Sequence, residues 1–184
     1  MRKELIKISD EKNVGAVQVY TGNGKGKTTA AFGLAFRSLG HQRKVCLIQF
    51  MKGSENYGEI KALKQFPTAE VILAGREGFI NKDAPDVKDV ELAQDGFEKA
   101  MDKLTSRDYD MVILDELNVA VDFHLIEVEQ VMELLNERPE NVELVITGRN
   151  ASEELIEKAD LVSEVKEIKH HFQKGVGARE GIEY

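Results

Sequence analysis

The stretch that decides the fold reads Val17-Gln18-Val19-Tyr20-Thr21-Gly22-Asn23-Gly24-Lys25-Gly26-Lys27-Thr28-Thr29. A short apolar run, typical of a buried strand, leads into a glycine-rich turn, and a helical pattern over residues 27–39 follows. The glycines allow a tight turn in which several backbone N–H groups face one anion, and the helix N-terminus adds partial positive charge. The stretch therefore predicts a phosphate-binding loop (P-loop) at Gly22–Thr28.

Two side chains of this loop have the chemistry that a nucleotide triphosphate needs. Lys27 supplies positive charge for phosphate oxygens, and Thr28 offers a hydroxyl to a magnesium ion. The standard pattern has a glycine where this chain has Thr21, so the loop is a variant. Glycine-rich turns before helices are common and many bind nothing. Here the strand, three glycines, the Lys-Thr pair and the helix coincide, which favours ATP binding.

A second acidic element is the apolar strand 110–114, which is followed by Asp115 and Glu116. In P-loop proteins we expect such a strand beside the first one, with its acids near the metal at the sheet edge. Adjacent strand residues point to opposite sides, so we predict that Glu116 alone contacts the metal. Arg149 follows a strand at the same edge, and a phosphate or ribose contact and a structural salt bridge are both open for it.

Apolar runs alternate with helical patterns through most of the chain, which indicates an α/β fold with a mostly parallel sheet flanked by helices. Further strands are predicted at 45–50, 70–74, 110–114, 142–147 and 161–165, the last as a core strand, and further helices at 86–106, 126–135 and 152–159. We predict a single P-loop nucleotide-binding domain of RecA-like architecture over 1–184. It has a short N-terminal extension at 1–13 and an extended tail at 166–184.

Composition excludes several classes of partner. The 184 residues carry a net charge of -8 with a pI of about 5.1, so a surface for nucleic acid, which needs concentrated Lys and Arg, is not expected. Cys46 is the single cysteine and lies in an apolar strand pattern, which predicts a small buried residue and rules out an intramolecular disulfide. No signal peptide or membrane span is evident, so we predict a cytoplasmic location and no membrane partner.

These motifs, taken in their order along the chain, resemble the ATP:corrinoid adenosyltransferases. The resemblance covers about 17–184 and includes segments beyond the P-loop. These are Gln49-Phe50-Met51-Lys52-Gly53, Val112-Ile113-Leu114-Asp115-Glu116-Leu117, Val145-Ile146-Thr147-Gly148-Arg149-Asn150, Ala159-Asp160-Leu161-Val162-Ser163-Glu164 and Gly181-Ile182-Glu183-Tyr184. The variant loop, with Thr21 in place of glycine, is itself this family's form.

The resemblance implies transfer of the 5′-deoxyadenosyl group of ATP to the cobalt of a reduced corrinoid, with release of triphosphate. It implies that ATP lies in the loop in the reverse of the usual sense and that Thr28 and Glu116 hold magnesium. Arg37 matches an arginine of the family's first helix that reaches the triphosphate. By motif position the phosphates lie against the loop residues Gly22, Asn23, Gly24, Lys25, Gly26, Lys27, Thr28 and Thr29.

The resemblance also bears on the corrinoid and on partners. Family members commonly read Gly-Phe-Thr-Trp after the third strand, where an aromatic pair forms an apolar face for the corrinoid. This chain reads Gly78-Phe79-Ile80-Asn81, so Phe79 is kept and Asn81 replaces the tryptophan. The segment before Val17 is also short, whereas in longer members it folds over the corrinoid. The family further implies a homodimer and an electron donor such as a flavoprotein reductant.

Two other classes of function stay open on the residues alone. A P-loop phosphotransferase or NTPase, such as a nucleoside kinase, shares the loop and the acidic strand end. A binding module that holds ATP and a corrinoid without chemistry is the other class. The products separate them, because adenosyl transfer releases triphosphate whereas phosphoryl transfer leaves ADP.

Overall fold

One parallel sheet forms the centre of the molecule in a computed structural model that describes residues 14–184. The predicted N-terminal extension at 1–13 lies outside the described residues. The sheet has the order β3-β2-β4-β5-β1-β6, and every neighbouring pair is parallel. Its strands are β1 (Val17–Thr21), β2 (Val45–Phe50), β3 (Ala69–Ala74), β4 (Met111–Asp115), β5 (Glu143–Thr147) and β6 (Leu161–Glu164). This arrangement confirms the α/β class.

Helices connect the strands. They are α1 (Lys27–Leu39), α2 (Gly58–Leu63), α3 (Val87–Thr105), α4 (Leu117–Asp122), α5 (Val128–Glu137) and α6 (Glu153–Lys158), and a 3-10 helix covers His171–Lys174. The predicted helices α1, α3, α5 and α6 are present. Sequence analysis missed α2 and α4, because six residues are less than two turns and show no clear period. Within 14–184 no helix combines the length and the apolar character that crossing a bilayer requires.

The core consists of two apolar layers, one on each face of the sheet. Helices α1 and α2 cover one face, where Leu47 and Ile113 are buried. Helices α3 to α6 cover the other, where Phe50 and Leu114 are buried. All six residues of β2 are buried, as expected for a strand with helices on both sides. Both layers leave the carboxyl ends of the strands open, and the functional loops begin there.

The expected position of the acidic strand was wrong. β4 does not lie beside β1, because β5 lies between them and pairs with both. From Leu144 onward every residue of β5 is buried, so this strand suits a central place with cover on both faces. The acids at the end of β4 are therefore one strand further from the P-loop than predicted.

Two predictions for the end of the chain also need correction. β6 is an edge strand rather than a core strand, and Leu161 and Val162 are 44% and 39% exposed. A strand that pairs on one side only has less cover than a central one. The tail is not extended throughout, because the 3-10 helix at His171–Lys174 interrupts it.

Candidate functional site

A cavity of about 1100 Å³ lies over the P-loop. Ligands of parallel α/β sheets bind at the carboxyl ends of the strands, and loops that follow β1, β2, β4 and β5 all reach this cavity. The sequence-predicted residues that line it are Asn23, Gly24, Lys25, Gly26, Lys27, Thr28, Thr29, Glu116 and Arg149. The fold thus brings together residues that are far apart in the sequence.

The P-loop is held against the segment that follows β6. The N–H of Gly24 donates to the carbonyl of Val165 at 2.7 Å. Gly22 has φ +95°, and a Cβ there would lie 2.5 Å from the same carbonyl oxygen. Only glycine fits this position, because a side chain meets both a strained backbone and a clash. The loop is therefore fixed against this segment by a hydrogen bond and by close backbone packing.

Lys27 lies inside the loop. Its Nζ donates to the carbonyl of Gly24 at 2.8 Å, and the residue is 7% exposed. Burial lowers the pKa of Lys27, Arg149 lowers it further, and the nearby carboxylate of Glu116 opposes the change. A partly desolvated ammonium interacts more strongly with an anion than one in bulk water does. The site is thus suited to a phosphate group.

The two acids after β4 have different surroundings. Asp115 is fully buried, where its Oδ1 accepts from the hydroxyl of Thr147 at 2.7 Å and its Oδ2 from the amide of Gln49 at 2.8 Å. Glu116 has φ 61°, its N–H donates to Thr147 Oγ1 at 3.0 Å, and it lines the cavity. Asp115 therefore belongs to a buried polar network that fixes the strand end, whereas Glu116 is accessible to a ligand.

Glu116 and Thr28 are the residues that could hold a magnesium ion. Burial raises the pKa of Glu116, as does the charge of Asp115, while Lys52, Lys27 and Arg149 oppose that rise. Within 14–184 no group of three or more His, Cys, Asp or Glu side chains could hold a metal ion by itself. One hydroxyl and one carboxylate suit Mg²⁺, which takes oxygen ligands and commonly completes its shell with water and phosphate oxygens. The donor set therefore fits this ion.

Three sequence-predicted residues do not line the cavity. Gly22 lies just before the lining part of the loop. Arg37 is exposed on α1, ten residues beyond Lys27. Phe79 is fully exposed in the loop after β3. The roles that the family resemblance gives to Arg37 and Phe79 stay predictions.

Sequence reasoning gave no site role to several residues that line the cavity. They come from the loop after β2, from α4 and its C-cap, from the loop after β5 and from the end of the tail, and include Lys52, Val119, Asp122, Phe123, Asn150, Glu183 and Tyr184. Lys52 lies two positions after the predicted strand 45–50, and this place was a usable signal. The residues of α4 gave none, because that helix was not predicted.

The tail closes one side of the cavity through an ion pair with the P-loop. Lys25 Nζ donates to Glu183 Oε1 at 2.8 Å and to the carbonyl of Ile182 at 3.1 Å. Arg179 donates to both oxygens of the same carboxylate at 3.1 Å. Bonds from Arg179 and from Lys25 hold the pKa of Glu183 well below its usual range. The loop and the last turn of the chain are therefore one connected unit.

Comparison with known proteins identifies relatives over almost the whole chain. A family model described as ATP:corrinoid adenosyltransferase BtuR/CobO/CobP matches residues 13–184. A corrinoid adenosyltransferase of Sinorhizobium sp. is 40% identical over 184 residues, which are 99% of this chain and 85% of the relative. The corrinoid adenosyltransferase of Escherichia coli (strain K12) is 40% identical over 180 residues, which are 98% of this chain and 90% of the relative.

A solved structure supports the architecture. The flagellar accessory protein FlaH from Methanocaldococcus jannaschii superposes with a TM-score of 0.57, covering 83% of this chain and 72% of that one. The two sequences are 13% identical, so the likeness concerns the fold alone.

Proposed function

This chain belongs to the ATP:corrinoid adenosyltransferase family, and we propose that its reaction takes place in the cavity above the P-loop. The reaction of the family transfers the 5′-deoxyadenosyl group of ATP to a reduced corrinoid. One observation carries the proposal. Lys27, Thr28, Glu116 and Arg149 come from three separate segments, and all line a single cavity. Its volume of about 1100 Å³ exceeds that of most small-molecule sites and leaves room beyond the triphosphate.

The reaction sets the requirements on the protein. The Co(I) substrate is already a strong nucleophile, so no catalytic base is needed. Its electron pair forms the Co–C bond at the ribose C5′, the C5′–O bond breaks, and the triphosphate leaves with that bond's electrons. The protein must align the two substrates and neutralise the charge of the leaving group. We assign this neutralisation to Lys27, Arg149 and the loop N–H groups.

Thr28 and Glu116 are the proposed magnesium ligands. When bound there, Mg²⁺ neutralises charge on the phosphate oxygens. The backbone of Glu116 is held in place because its N–H donates to Thr147 Oγ1 at 3.0 Å. Thr28 lies in the first turn of α1 and lines the same cavity as the loop.

Other assignments follow from the resemblance to the family and remain proposals. We propose that ATP lies reversed in the loop, that Arg37 contacts the triphosphate and that Phe79 faces the corrinoid. A homodimer, an electron donor such as a flavoprotein and a cytoplasmic location are proposed on the same basis. The exposure of Phe79 agrees with a role in contact with a large ligand.

The decisive experiment identifies the products. The protein is mixed with ATP, Mg²⁺ and chemically reduced cobalamin, and the absorbance change of Co–C bond formation is followed. We expect adenosylcobalamin and triphosphate in equal amounts. ADP in place of triphosphate would indicate a phosphotransferase, and corrinoid binding without turnover would indicate a binding module.

A substitution in the loop tests the assigned site. We expect Lys27→Ala to lose most of the activity, because the cation that lies among the loop carbonyls and N–H groups is removed. The control is Lys99→Ala, which removes an exposed lysine paired with Asp95 on α3 at 2.6 Å. Both variants should retain the circular dichroism of the parent. Full activity of Lys27→Ala would exclude the loop from the mechanism.

A further inference from the structure

Lys52 lies at the same edge of the sheet as the acidic end of β4. It follows β2 by two positions, β2 is hydrogen-bonded to β4, and their register pairs Gln49 with Asp115. The loop after β2 and Glu116 after β4 therefore leave the sheet side by side. Lys52 lines the cavity together with Glu116 and the P-loop.

The backbone around Lys52 is fixed by an unusual arrangement. Met51 has φ 64°, a left-handed conformation that L side chains rarely adopt and that costs of order 1 kcal/mol or more. A Cβ at Gly75 would lie 2.6 Å from the backbone N of Lys52, and a Cβ at Gly53 would lie 2.6 Å from the Cα of Arg76. The loops after β2 and β3 thus pack backbone against backbone. Strain of this kind persists where the surroundings determine the conformation, and it is common at functional sites.

The ammonium group of Lys52 is oriented by charge and is not locked by a short bond to the acids. Its Nζ lies 3.6 Å from Asp115 Oδ2 and 4.0 Å from Glu116 Oε1, both beyond the length of an ordinary N–H···O hydrogen bond, about 3.2 Å at most. It also lies 5.6 Å from the ring centroid of Tyr57. The side chain is 26% exposed. An ammonium group in this state can turn its donors toward a ligand without first breaking a strong hydrogen bond to either carboxylate.

The charges around Glu116 favour a polyanion in this cavity. Lys27, Lys52 and Arg149 all act on the carboxylate of Glu116, and each comes from a different loop. The other nearby acid, Asp115, already accepts bonds from Thr147 and Gln49. Three cations therefore line the same cavity as one accessible carboxylate, which suits a ligand with several negative charges.

We propose that Lys52 is a further binding residue for the triphosphate. Its ammonium group contacts the triphosphate of bound ATP. It keeps that contact while the C5′–O bond breaks and the electrons of that bond stay on the leaving oxygen. This inference rests on the function proposed above. It adds the loop after β2 to the P-loop as a source of positive charge. The carboxylates of Asp115 and Glu116 orient Lys52 toward the cavity that it lines.

The test compares Lys52→Met with Lys99→Met, which removes an exposed ion-paired lysine on α3. Inorganic tripolyphosphate with Mg²⁺ is the probe, and its affinity is measured by isothermal titration calorimetry. We expect Lys52→Met to weaken its binding about tenfold or more, since a charge-assisted contact to phosphate is lost. The kcat/KM for ATP should fall by a similar factor. Lys52→Arg should restore part of both values, and Lys99→Met should leave them unchanged.

The results distinguish this inference from the proposed function. If Lys52→Met changes the unfolding midpoint but leaves tripolyphosphate affinity and kcat/KM within about twofold, Lys52 only balances its neighbouring acids and the inference is wrong. Lys52→Gln replaces Lys52→Met if the latter does not fold, with the same two outcomes. If the parent protein binds tripolyphosphate through Lys52 yet forms no adenosylated corrinoid, the contact between Lys52 and the triphosphate stands and the proposed function fails.

Discussion

The hydroxyl of Thr147 connects both acids at the end of β4, and its removal tests how the site is held. Thr147 is fully buried, donates to Asp115 Oδ1 at 2.7 Å and accepts from the N–H of Glu116 at 3.0 Å. Thr147→Val keeps the shape of the side chain and removes only these bonds. The variant therefore isolates the polar contribution from packing.

The expected cost can be worked out from these two contacts. A hydrogen bond to a buried charged group contributes about 1.5–3 kcal/mol, and a buried N–H left unpaired costs about 1–3 kcal/mol. Asp115 keeps its bond from Gln49, so the carboxylate is not left without a donor. Since the two losses share one network, they do not simply add, and we expect Thr147→Val to lower the free energy of unfolding by about 3 kcal/mol.

Urea unfolding followed by far-ultraviolet circular dichroism measures this free energy, because the chain has no tryptophan for fluorescence. Thr147→Ser keeps the hydroxyl and should cost about 1 kcal/mol for the lost methyl group. Thr105→Val is the matched surface control. Its hydroxyl donates to the carbonyl of Met101 within α3, and the change should stay within about 0.5 kcal/mol.

Function provides a second measurement on the same variants. Thr147→Val releases the backbone of Glu116, so we expect a higher magnesium concentration for half-maximal adenosyl transfer, whereas Thr147→Ser should behave like the parent. A loss below about 1 kcal/mol in Thr147→Val would refute the reasoning, because it would mean that the buried bonds to the acids contribute little. An unchanged magnesium dependence would indicate that Glu116 does not belong to the metal site.

Two further predictions concern protonation. Bonds from Arg179 and Lys25 hold the pKa of Glu183 well below its usual range. The contacts through which Glu183 attaches the tail are therefore complete above the unfolded pKa of about 4.3, and they are lost as the pH falls from there toward the folded pKa. Carboxyl ¹³C NMR, assigned with Glu183→Gln, should show Glu183 titrating below the usual glutamate range, and an ordinary midpoint would contradict this. Burial raises the pKa of the Cys46 thiol to about 12, so a disulfide reagent at pH 8 should modify it only after unfolding, and rapid modification of the native protein would disprove that.

Local sequence was enough to predict the P-loop and the long elements. The loop, its glycines, Lys27 and Thr28 are contiguous, so their chemistry could be inferred from neighbours along the chain. The helix at Val87–Thr105 was predicted within one residue at each end, since its amphipathic pattern repeats over many residues and Asp86 caps it. The short helices were missed for the opposite reason, because six residues give little periodicity.

Only the tertiary structure decided the features that depend on pairing between distant segments. The position of β5 between β4 and β1 depends on pairing between strands that are far apart in the sequence, and no local pattern encodes that choice. The approach of Lys52 to Glu116 follows from the register of β2 on β4 and from Gly75, which lets two loops touch. The contact between Lys25 and Glu183 joins residues 158 positions apart in the sequence. The sequence by itself thus indicated the contiguous residues that we propose to bind a triphosphate, and strand order and backbone packing determined which distant residues meet them in one cavity.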